Sequence, residues 1–88
     1  MNLVYTGRFK KDFKLMMKRN KDTDKLFAVA DMLLKGKPLL PKNRDHALIG
    51  NWKSRRECHI EPNWLLIYCI RGSDLILERT GSHADLFR

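Results

Sequence analysis

The fold is set by residues 64–70, WLLIYCI, the longest uninterrupted apolar run in the chain. Turn signals bound this run on both sides, at residues 61–63 (EPN) and residues 71–74 (RGSD). Its aromatic and β-branched content predicts a strand, and its near-continuous apolarity predicts burial on both faces at the centre of a sheet. A bilayer-spanning helix needs roughly 20 apolar residues, so no membrane segment is expected.

Further strands are predicted around this central one. Residues 52–60, which mix polar and apolar side chains, predict the strand before it, and residues 75–80 (LILERT) predict the strand after it. Residues 3–5 form a short candidate strand near the amino terminus. The polar, proline-containing residues 39–50 predict a loop, and residues 81–88 predict a tail.

Two helices are predicted in the first part of the chain. Each has one apolar stripe with helical spacing, formed by Phe9, Phe13, Met16 and Met17 in the first helix and by Leu26, Phe27, Val29, Ala30, Leu33 and Leu34 in the second. Asp22 or Thr23 can cap the second helix, and Gly36 followed by Pro38 predicts its end. The connection over residues 20–23 is short, so the two helices should pack antiparallel.

The predicted element order is β-α-α-β-β-β. It describes an α+β fold in which two antiparallel N-terminal helices pack on one face of a mainly antiparallel sheet. Eighty-eight residues without a repeat or a linker predict a single domain over residues 1–88. If Ile60 pairs with Trp64 across the hairpin loop, Cys58 and Cys69 lie on opposite faces of the sheet. We therefore predict two free core cysteines rather than a disulfide.

The chain is strongly basic. It carries 18 Lys and Arg against 10 Asp and Glu, a formal net charge of +8. In and around the first predicted helix Asp12 opposes the basic residues Arg8, Lys10, Lys11, Lys14, Lys18 and Arg19. Such a surface favours a polyanionic or acidic partner, although a solvated helix face explains the same pattern. Two cysteines and no signal-peptide pattern predict a reducing compartment, and hence a cytoplasmic protein.

Three histidines, His46, His59 and His83, are the candidate acid–base groups, because an imidazole can take and give a proton near neutral pH. Any one of them alone is more often structural. Together with the carboxylate of Glu57 they fit metal-independent RNA cleavage, in which the 2′-hydroxyl is the nucleophile and the enzyme supplies an acid and a base. The cysteines lie in apolar strands that disfavour a thiolate, and no Cys-x-x-Cys or His-x-x-x-His motif indicates zinc.

Cations and aromatic rings in the second half of the chain could hold the RNA. Arg55, Arg56 and Arg79 can bind a phosphate through their guanidinium forks. Trp64 or Phe87 can stack on an unpaired base, with core packing as the alternative for Trp64. A non-catalytic basic RNA- or DNA-binding protein is the alternative to the whole enzymatic interpretation.

Three segments resemble the YafQ branch of the RelE/ParE toxin superfamily, namely DHALIGNWK at residues 45–53, RECHIEPNW at residues 56–64 and ERTGSHADLF at residues 78–87. The resemblance covers essentially the whole chain. It implies the toxin of a bacterial type II toxin–antitoxin system, an mRNA endoribonuclease that acts in the ribosomal A site with a preference for A-rich codons. It also implies an acidic antitoxin of the DinJ type, with operator DNA bound only through the antitoxin complex. No cofactor or metal is expected, and a gyrase-directed toxin of the same fold, as in the ParE branch, stays an alternative.

The resemblance also implies roles for individual residues. His46, His59 and His83 occupy the catalytic histidine positions, and Glu57 stands where the family often has aspartate. The expected substrate-binding set is Arg79 for the phosphate, Phe87 for the nucleotide, and Lys53, Arg55, Arg56, Asn63 and Trp64. Asn63 is the clearest departure, because the best-known members carry aspartate there and an amide cannot act as a general base. We expect Asn63 to orient the substrate, His83 to be the general acid, and His59 or His46 to be the base.

Overall fold

Five strands and three α-helices make up the computed structural model, which describes residues 1–87. In chain order they are β1 (Asn2–Tyr5), α1 (Gly7–Lys18), α2 (Thr23–Leu34), β2 (His46–Ala47), β3 (Arg56–Glu61), β4 (Trp64–Arg71), β5 (Asp74–Gly81) and α3 (His83–Leu86). Single turns of 3₁₀-helix, Pro41–Asn43 and Gly50–Trp52, lie before and after β2. No helix in this described range is long and apolar enough to cross a membrane.

The strands form one sheet in the order β1-β5-β4-β3-β2, which places β4 at its centre. The β1–β5 pair is parallel and the other pairs are antiparallel. Every residue of β4 from Trp64 to Cys69 is buried, so the prediction of a central strand covered on both faces is confirmed. The predicted α+β fold with a mainly antiparallel sheet is confirmed as well.

The element order differs from the prediction in two places. Within the predicted loop, β2 is a two-residue strand that pairs His46 with Glu57. Such a strand is too short to show side-chain alternation in the sequence. In place of the predicted tail, α3 forms one helical turn that begins with a capping box between Ser82 and Asp85. One turn has no hydrophobic periodicity, so only the Ser-x-x-Asp spacing could have indicated it.

The β3–β4 hairpin has the predicted register with one local exception. Cys58 lies opposite Leu66, as the prediction requires. A bulge near the end of β3 then pairs Trp64 with Glu61 rather than with the predicted Ile60. A bulge bends its strand and re-aims the side chains beside it, and this one lies next to the candidate site.

Both cysteines are free and buried, as predicted. Cys58 packs in the core on the helix side of the sheet, whereas the Cys69 thiol donates to Glu78 Oε2 at 3.4 Å. Burial raises the pKa of Cys58 to about 12 and also raises the pKa of Cys69. Neither thiol is therefore an activated nucleophile.

Left-handed residues end both long helices. Asn20, with φ 59°, follows α1, and Gly36, with φ 66°, follows α2 as predicted. Asp22 caps the start of α2 by accepting a hydrogen bond from the Asp24 amide. The two helices meet at Phe13 of α1 and Phe27 of α2, whose ring centroids are 5.6 Å apart.

A hydrophobic core lies on each face of the sheet. The core on the helix side is the larger and contains Phe9, Met16, Leu26, Val29 and Leu33 of the helices with Cys58, Trp64, Leu66, Tyr68, Leu75 and Leu77 of the strands. The core on the opposite face contains Leu65, Ile67 and Leu86, against which Leu48 and Trp52 pack. Within residues 1–87 the second face is thus covered only by α3 and the segment around β2, and it carries the candidate site.

Candidate active site

The strand register places three predicted site residues and one core residue in a single row across the sheet. His46 pairs with Glu57, Glu57 with Ile67, and Ile67 with Arg79. Because Ile67 belongs to the small core, the row lies on the face that α1 and α2 do not cover. His59 follows Glu57 by two positions and shares that face. Neighbouring strands are about 4.8 Å apart, so the Cα atoms of Glu57 and Arg79 are separated by about 10 Å.

Glu57 lies between two of the histidines. Its Oε1 is 3.6 Å from Nε2 of His46 and 3.6 Å from Nε2 of His59. Glu57 is 5% exposed and His59 is 8% exposed, whereas His46 is open to solvent. One buried carboxylate oxygen therefore lies close to Nε2 of both rings.

The other nitrogen of each of these rings is held by a backbone carbonyl. Nδ1 of His46 is 2.6 Å from the Arg44 carbonyl oxygen, and Nδ1 of His59 is 3.2 Å from the Pro62 carbonyl oxygen. Because a carbonyl can only accept a hydrogen bond, Nδ1 carries the hydrogen in both rings. Nε2 is then the nitrogen that can take up or release a proton.

His83 is the first residue of α3 and lies beside His59. Its ring centroid is 5.9 Å from that of His59 and 6.3 Å from that of Phe87. The Nδ1 and the backbone amide of His83 are both 3.2 Å from Asn63 Oδ1. One amide oxygen therefore orients the ring and the first turn of α3 together. The structure thus shows Asn63 in contact with His83, and its role in orienting substrate stays a prediction.

Polar contacts anchor the short helix that carries His83. Arg19, after the end of α1, donates to both carboxylate oxygens of Asp85 at 2.7 and 3.0 Å. Asp85 also accepts from the Ser82 amide at 2.8 Å, and Leu86 is buried in the small core. The hydrogen bonds from Arg19 hold the pKa of Asp85 well below its ordinary range, with those from Ser82 adding to the effect. α3 is thus held by contacts on both sides although it has only four residues.

Glu57, His59 and His83 could also hold a metal ion. Each offers one ligand atom, and these atoms lie within 4.8 Å of one another. Two imidazoles and a carboxylate are a donor set that suits a divalent transition metal such as zinc. No short motif indicated this set, because His83 comes from a different element and reaches the strand pair only through α3.

The three arginines predicted to bind phosphate are each paired with a carboxylate. Arg79 Nε is 2.6 Å from Asp12 Oδ2, and Arg55 Nε is 3.0 Å from Glu78 Oε2. The third pair joins Arg56 to Asp45 at 3.3 Å between Nε and Oδ1. Arg56 precedes Glu57 in β3, so alternation places it on the other face of the sheet, away from the histidines. Lys53 is exposed in the turn before β3.

Of the two aromatic candidates, only Phe87 is accessible. Phe87 is 39% exposed and packs edge-on against Trp52, with ring centroids 6.4 Å apart. Trp64 is 0% exposed, and its Nε1 donates to Thr80 Oγ1 at 2.8 Å inside the helix-side core. The prediction that Trp64 stacks on a base is therefore corrected in favour of the core-packing alternative. Its indole is too large and too well bonded to leave the core cheaply.

Sequence reasoning missed two residues that bear on the site. Trp52 supports Phe87, and its place within the first motif could have indicated it. Asp12 pairs with Arg79. The signal for Asp12 was its isolation as the one acidic residue among the cations of the first helix.

Comparison with known proteins identifies the family. A model described as the bacterial toxin of a type II toxin–antitoxin system, YafQ, matches residues 1–88. The chain is 44% identical over 87 residues to the mRNA interferase toxin YafQ of Escherichia coli, covering 98% of this chain and 95% of that protein. A copper-bound mutant toxin from Helicobacter pylori superposes with a TM-score of 0.95 at 42% identity, covering 99% of both chains. A chain of the Escherichia coli DinJ–YafQ complex superposes with a TM-score of 0.91 at 43% identity, covering 99% of this chain and 98% of that one. The chain therefore belongs to the YafQ family of toxins from bacterial type II toxin–antitoxin systems.

Proposed function

We propose that this toxin is an endoribonuclease that cleaves mRNA in the ribosomal A site, with the RNA 2′-hydroxyl as the nucleophile. The observation that carries the proposal is the convergence of Glu57, His59 and His83, whose ligand atoms lie within 4.8 Å although they come from two separate elements. A 44% identical relative is an mRNA interferase, which supports the class of substrate. Acid and base both come from the chain, so the step as proposed requires no metal.

The proposed reaction is an in-line transfer assisted by two imidazoles. The base removes the 2′-hydroxyl proton, O2′ attacks the phosphorus, and the P–O5′ bond breaks as the acid protonates O5′. A 2′,3′-cyclic phosphate and a free 5′-hydroxyl result. His59 or His46 is the base through Nε2, because Glu57 stabilises the imidazolium that forms. His83 is the acid, oriented by Asn63.

The substrate contacts follow from the positions on this face. Arg79 lies in the same row as Glu57, where its guanidinium can stabilise the charge that develops on the phosphate. Phe87 offers an exposed ring beside His83 for the nucleotide. Lys53 and Arg55, in the turn before β3, can contact the backbone of the mRNA. Arg56, on the other face, has no proposed contact with the scissile phosphate.

An acidic antitoxin is the proposed protein partner. α1 exposes Arg8, Lys10, Lys11, Lys14 and Lys18, which suits an acidic segment that folds on contact. A related toxin is known in complex with the antitoxin DinJ, so we propose a DinJ-like partner that also supplies the contact with operator DNA. The proposed action on translated mRNA implies a cytoplasmic location.

Expression in bacteria tests the proposed activity. The wild type should stop growth and leave cleaved mRNA. His83→Ala should restore growth, because loss of a general acid lowers the cleavage rate by about 100-fold or more. Lys37→Ala, at an exposed position after α2, is the matched control and should be as toxic as the wild type. Equal growth of wild type and His83→Ala with intact mRNA would refute the proposal, and DNA damage with intact mRNA would select the gyrase-directed alternative.

A further inference from the structure

Asp12 is the single carboxylate of α1, and it faces the sheet. The α1 sequence is GRFKKDFKLMMK, in which Asp12 follows the buried Phe9 by three positions and precedes the buried Met16 by four. This spacing puts Asp12 on the packed side of the helix. Its side chain is 15% exposed, unlike the basic residues around it.

α1 covers the edge of β5 at the point where Arg79 lies. β1 pairs with β5 only as far as Leu77. Beyond that point Thr6 bonds to the edge of β5, since its Oγ1 donates to the Glu78 carbonyl at 2.9 Å. Asp12 Oδ2 then accepts from the Thr80 amide at 3.2 Å. Asp12 therefore satisfies a strand-edge donor and also meets the Arg79 side chain.

The pairing uses only one side of the guanidinium. Arg79 Nε donates to Asp12 Oδ2 at 2.6 Å, and Nη2 donates to Oδ1 at 3.2 Å. A guanidinium has five N–H groups, so three remain, including both on Nη1. Within residues 1–87 the side-chain hydrogen bonds of Arg79 are the two to Asp12, and the Arg79 side chain as a whole is 14% exposed. The end of the fork formed by Nη1 and Nη2 is left for a bidentate contact with a phosphate.

We infer that Asp12 is a positioning residue, which holds Arg79 by the Nε side so that the Nη1–Nη2 end is presented to the scissile phosphodiester. The inference rests on the proposed function, because it assumes that Arg79 binds that phosphate. Two hydrogen bonds restrict the long arginine side chain before substrate arrives, so less conformational entropy is lost on binding. The isolated negative charge on an otherwise cationic helix is thereby given a role in the reaction.

A double-mutant cycle tests the inference. Single-turnover cleavage of mRNA on programmed ribosomes is measured for the wild type, Asp12→Asn, Arg79→Ala and the double variant. Asparagine keeps one acceptor oxygen for Thr80 but loses the charge-assisted fork. We expect Asp12→Asn to lower the cleavage rate constant by about 10- to 100-fold, as a misplaced catalytic contact does. In the Arg79→Ala background the same substitution should have no further effect. Asp31→Asn, on the exposed side of α2, makes the same chemical change and should retain the wild-type rate.

The outcomes distinguish failure of the proposed ribonuclease activity from failure of the positioning inference. An inactive wild type refutes the ribonuclease itself, and an active Arg79→Ala refutes the role of Arg79. An Asp12→Asn variant as active as the wild type overturns the positioning inference. So does an equal loss of rate in the presence and absence of Arg79, because that pattern indicates a general structural effect. Should Asp12→Asn fail to fold, Asp12→Glu retains both oxygens but displaces them by one methylene, and an unchanged rate would equally overturn the inference.

Discussion

Asn63 contacts the candidate residue His83 at a position where the resemblance to the family implies aspartate. Its amide oxygen accepts from both the Nδ1 and the backbone amide of His83, at 3.2 Å each. An aspartate at this position would make the same two contacts and add a negative charge. The substitution therefore changes the electrostatics around His83 more than its geometry.

Asn63→Asp tests the assignment of His83 as the acid. Two imidazoles in opposite protonation states give a bell-shaped dependence of rate on pH near neutrality. A carboxylate beside His83 favours the protonated ring, so an acid at His83 stays active to higher pH. We expect the alkaline limb of the rate profile to move to higher pH and the acidic limb to stay in place.

Single-turnover cleavage at a series of pH values, with chemistry limiting the rate, measures this shift. Asn51→Asp makes the same change at an exposed position before β3 and serves as the control. A flat profile in the wild type would contradict the two-imidazole mechanism. Movement of the acidic limb instead would assign His83 as the base.

At the scale of elements, α3 is the helix that carries the candidate residue His83, and it is too short to be stable alone. A helix of four residues cannot recover the cost of nucleation from its own hydrogen bonds. It persists here through the capping box, the contact of Leu86 with the small core, and the bidentate contact from Arg19 to Asp85. Gly81 is adapted to the same contact, since a Cβ there would lie 2.9 Å from the Asp85 Cβ. Each of these features positions His83.

The contact between Arg19 and Asp85 predicts a particular pH dependence of stability. The pKa of Asp85 is lower in the folded chain than in an unfolded one, chiefly because Arg19 donates to the ionised carboxylate. The stabilisation is therefore fully present above the unfolded carboxyl pKa of about 4, and is lost as pH falls toward the folded value. We expect Arg19→Gln to lose less stability than the wild type as pH falls. The variant should also cleave more slowly, because α3 is held less firmly.

Urea unfolding of the wild type and Arg19→Gln between neutral and acidic pH measures the effect. Lys35→Gln removes an exposed ion pair with Asp31 within one helical segment and is the matched control. The pH dependence of stability should differ between Arg19→Gln and Lys35→Gln only if the contact between Arg19 and Asp85 stabilises the fold. Parallel stability curves for the wild type and Arg19→Gln would show that it does not.

At the scale of the whole molecule, the sheet separates the cationic face of α1 from the candidate site. α1 and α2 pack on the large core, and Glu57 and His59 lie on the other face. α1 comes near the site through Asp12 at its middle, and the chain does so again through Arg19 just after the helix ends. An antitoxin attracted to the exposed cations of α1 could therefore bind without filling the space between the histidines.

The charge of α1 predicts salt-dependent assembly with the antitoxin encoded beside the toxin gene. Exposed charge pairs weaken as salt screens them, so the affinity should fall with ionic strength. Lys10→Gln combined with Lys14→Gln should weaken binding by about 10-fold at low salt and reduce the slope of affinity against salt concentration. Titration calorimetry at several salt concentrations measures both quantities.

Lys35→Gln combined with Lys37→Gln removes the same charge at the far end of α2 and is the control for that experiment. Equal slopes for both double variants would indicate long-range attraction by net charge rather than docking on α1. No heteromer at low salt would contradict the proposed partner.

Local patterns in the amino-acid sequence were enough for the two long helices, the three long strands and the hairpin register up to the bulge. Periodicity, caps and turn residues act within a few positions, so the apolar run of β4 and the end of α2 at Gly36 could be predicted directly. Histidine and carboxylate chemistry likewise belongs to the residue type, so the candidates for acid and base could be named in advance.

Tertiary contacts determined which of these groups meet. β2 and α3 are too short to form without their partners, so the position of His46 opposite Glu57 and of His83 beside His59 depends on the assembled sheet. Burial of Trp64 and the pairing of Asp12 with Arg79 join residues that are distant in the chain. Such long-range contacts leave no periodic trace in the sequence, because they are selected by packing across elements rather than by spacing along one.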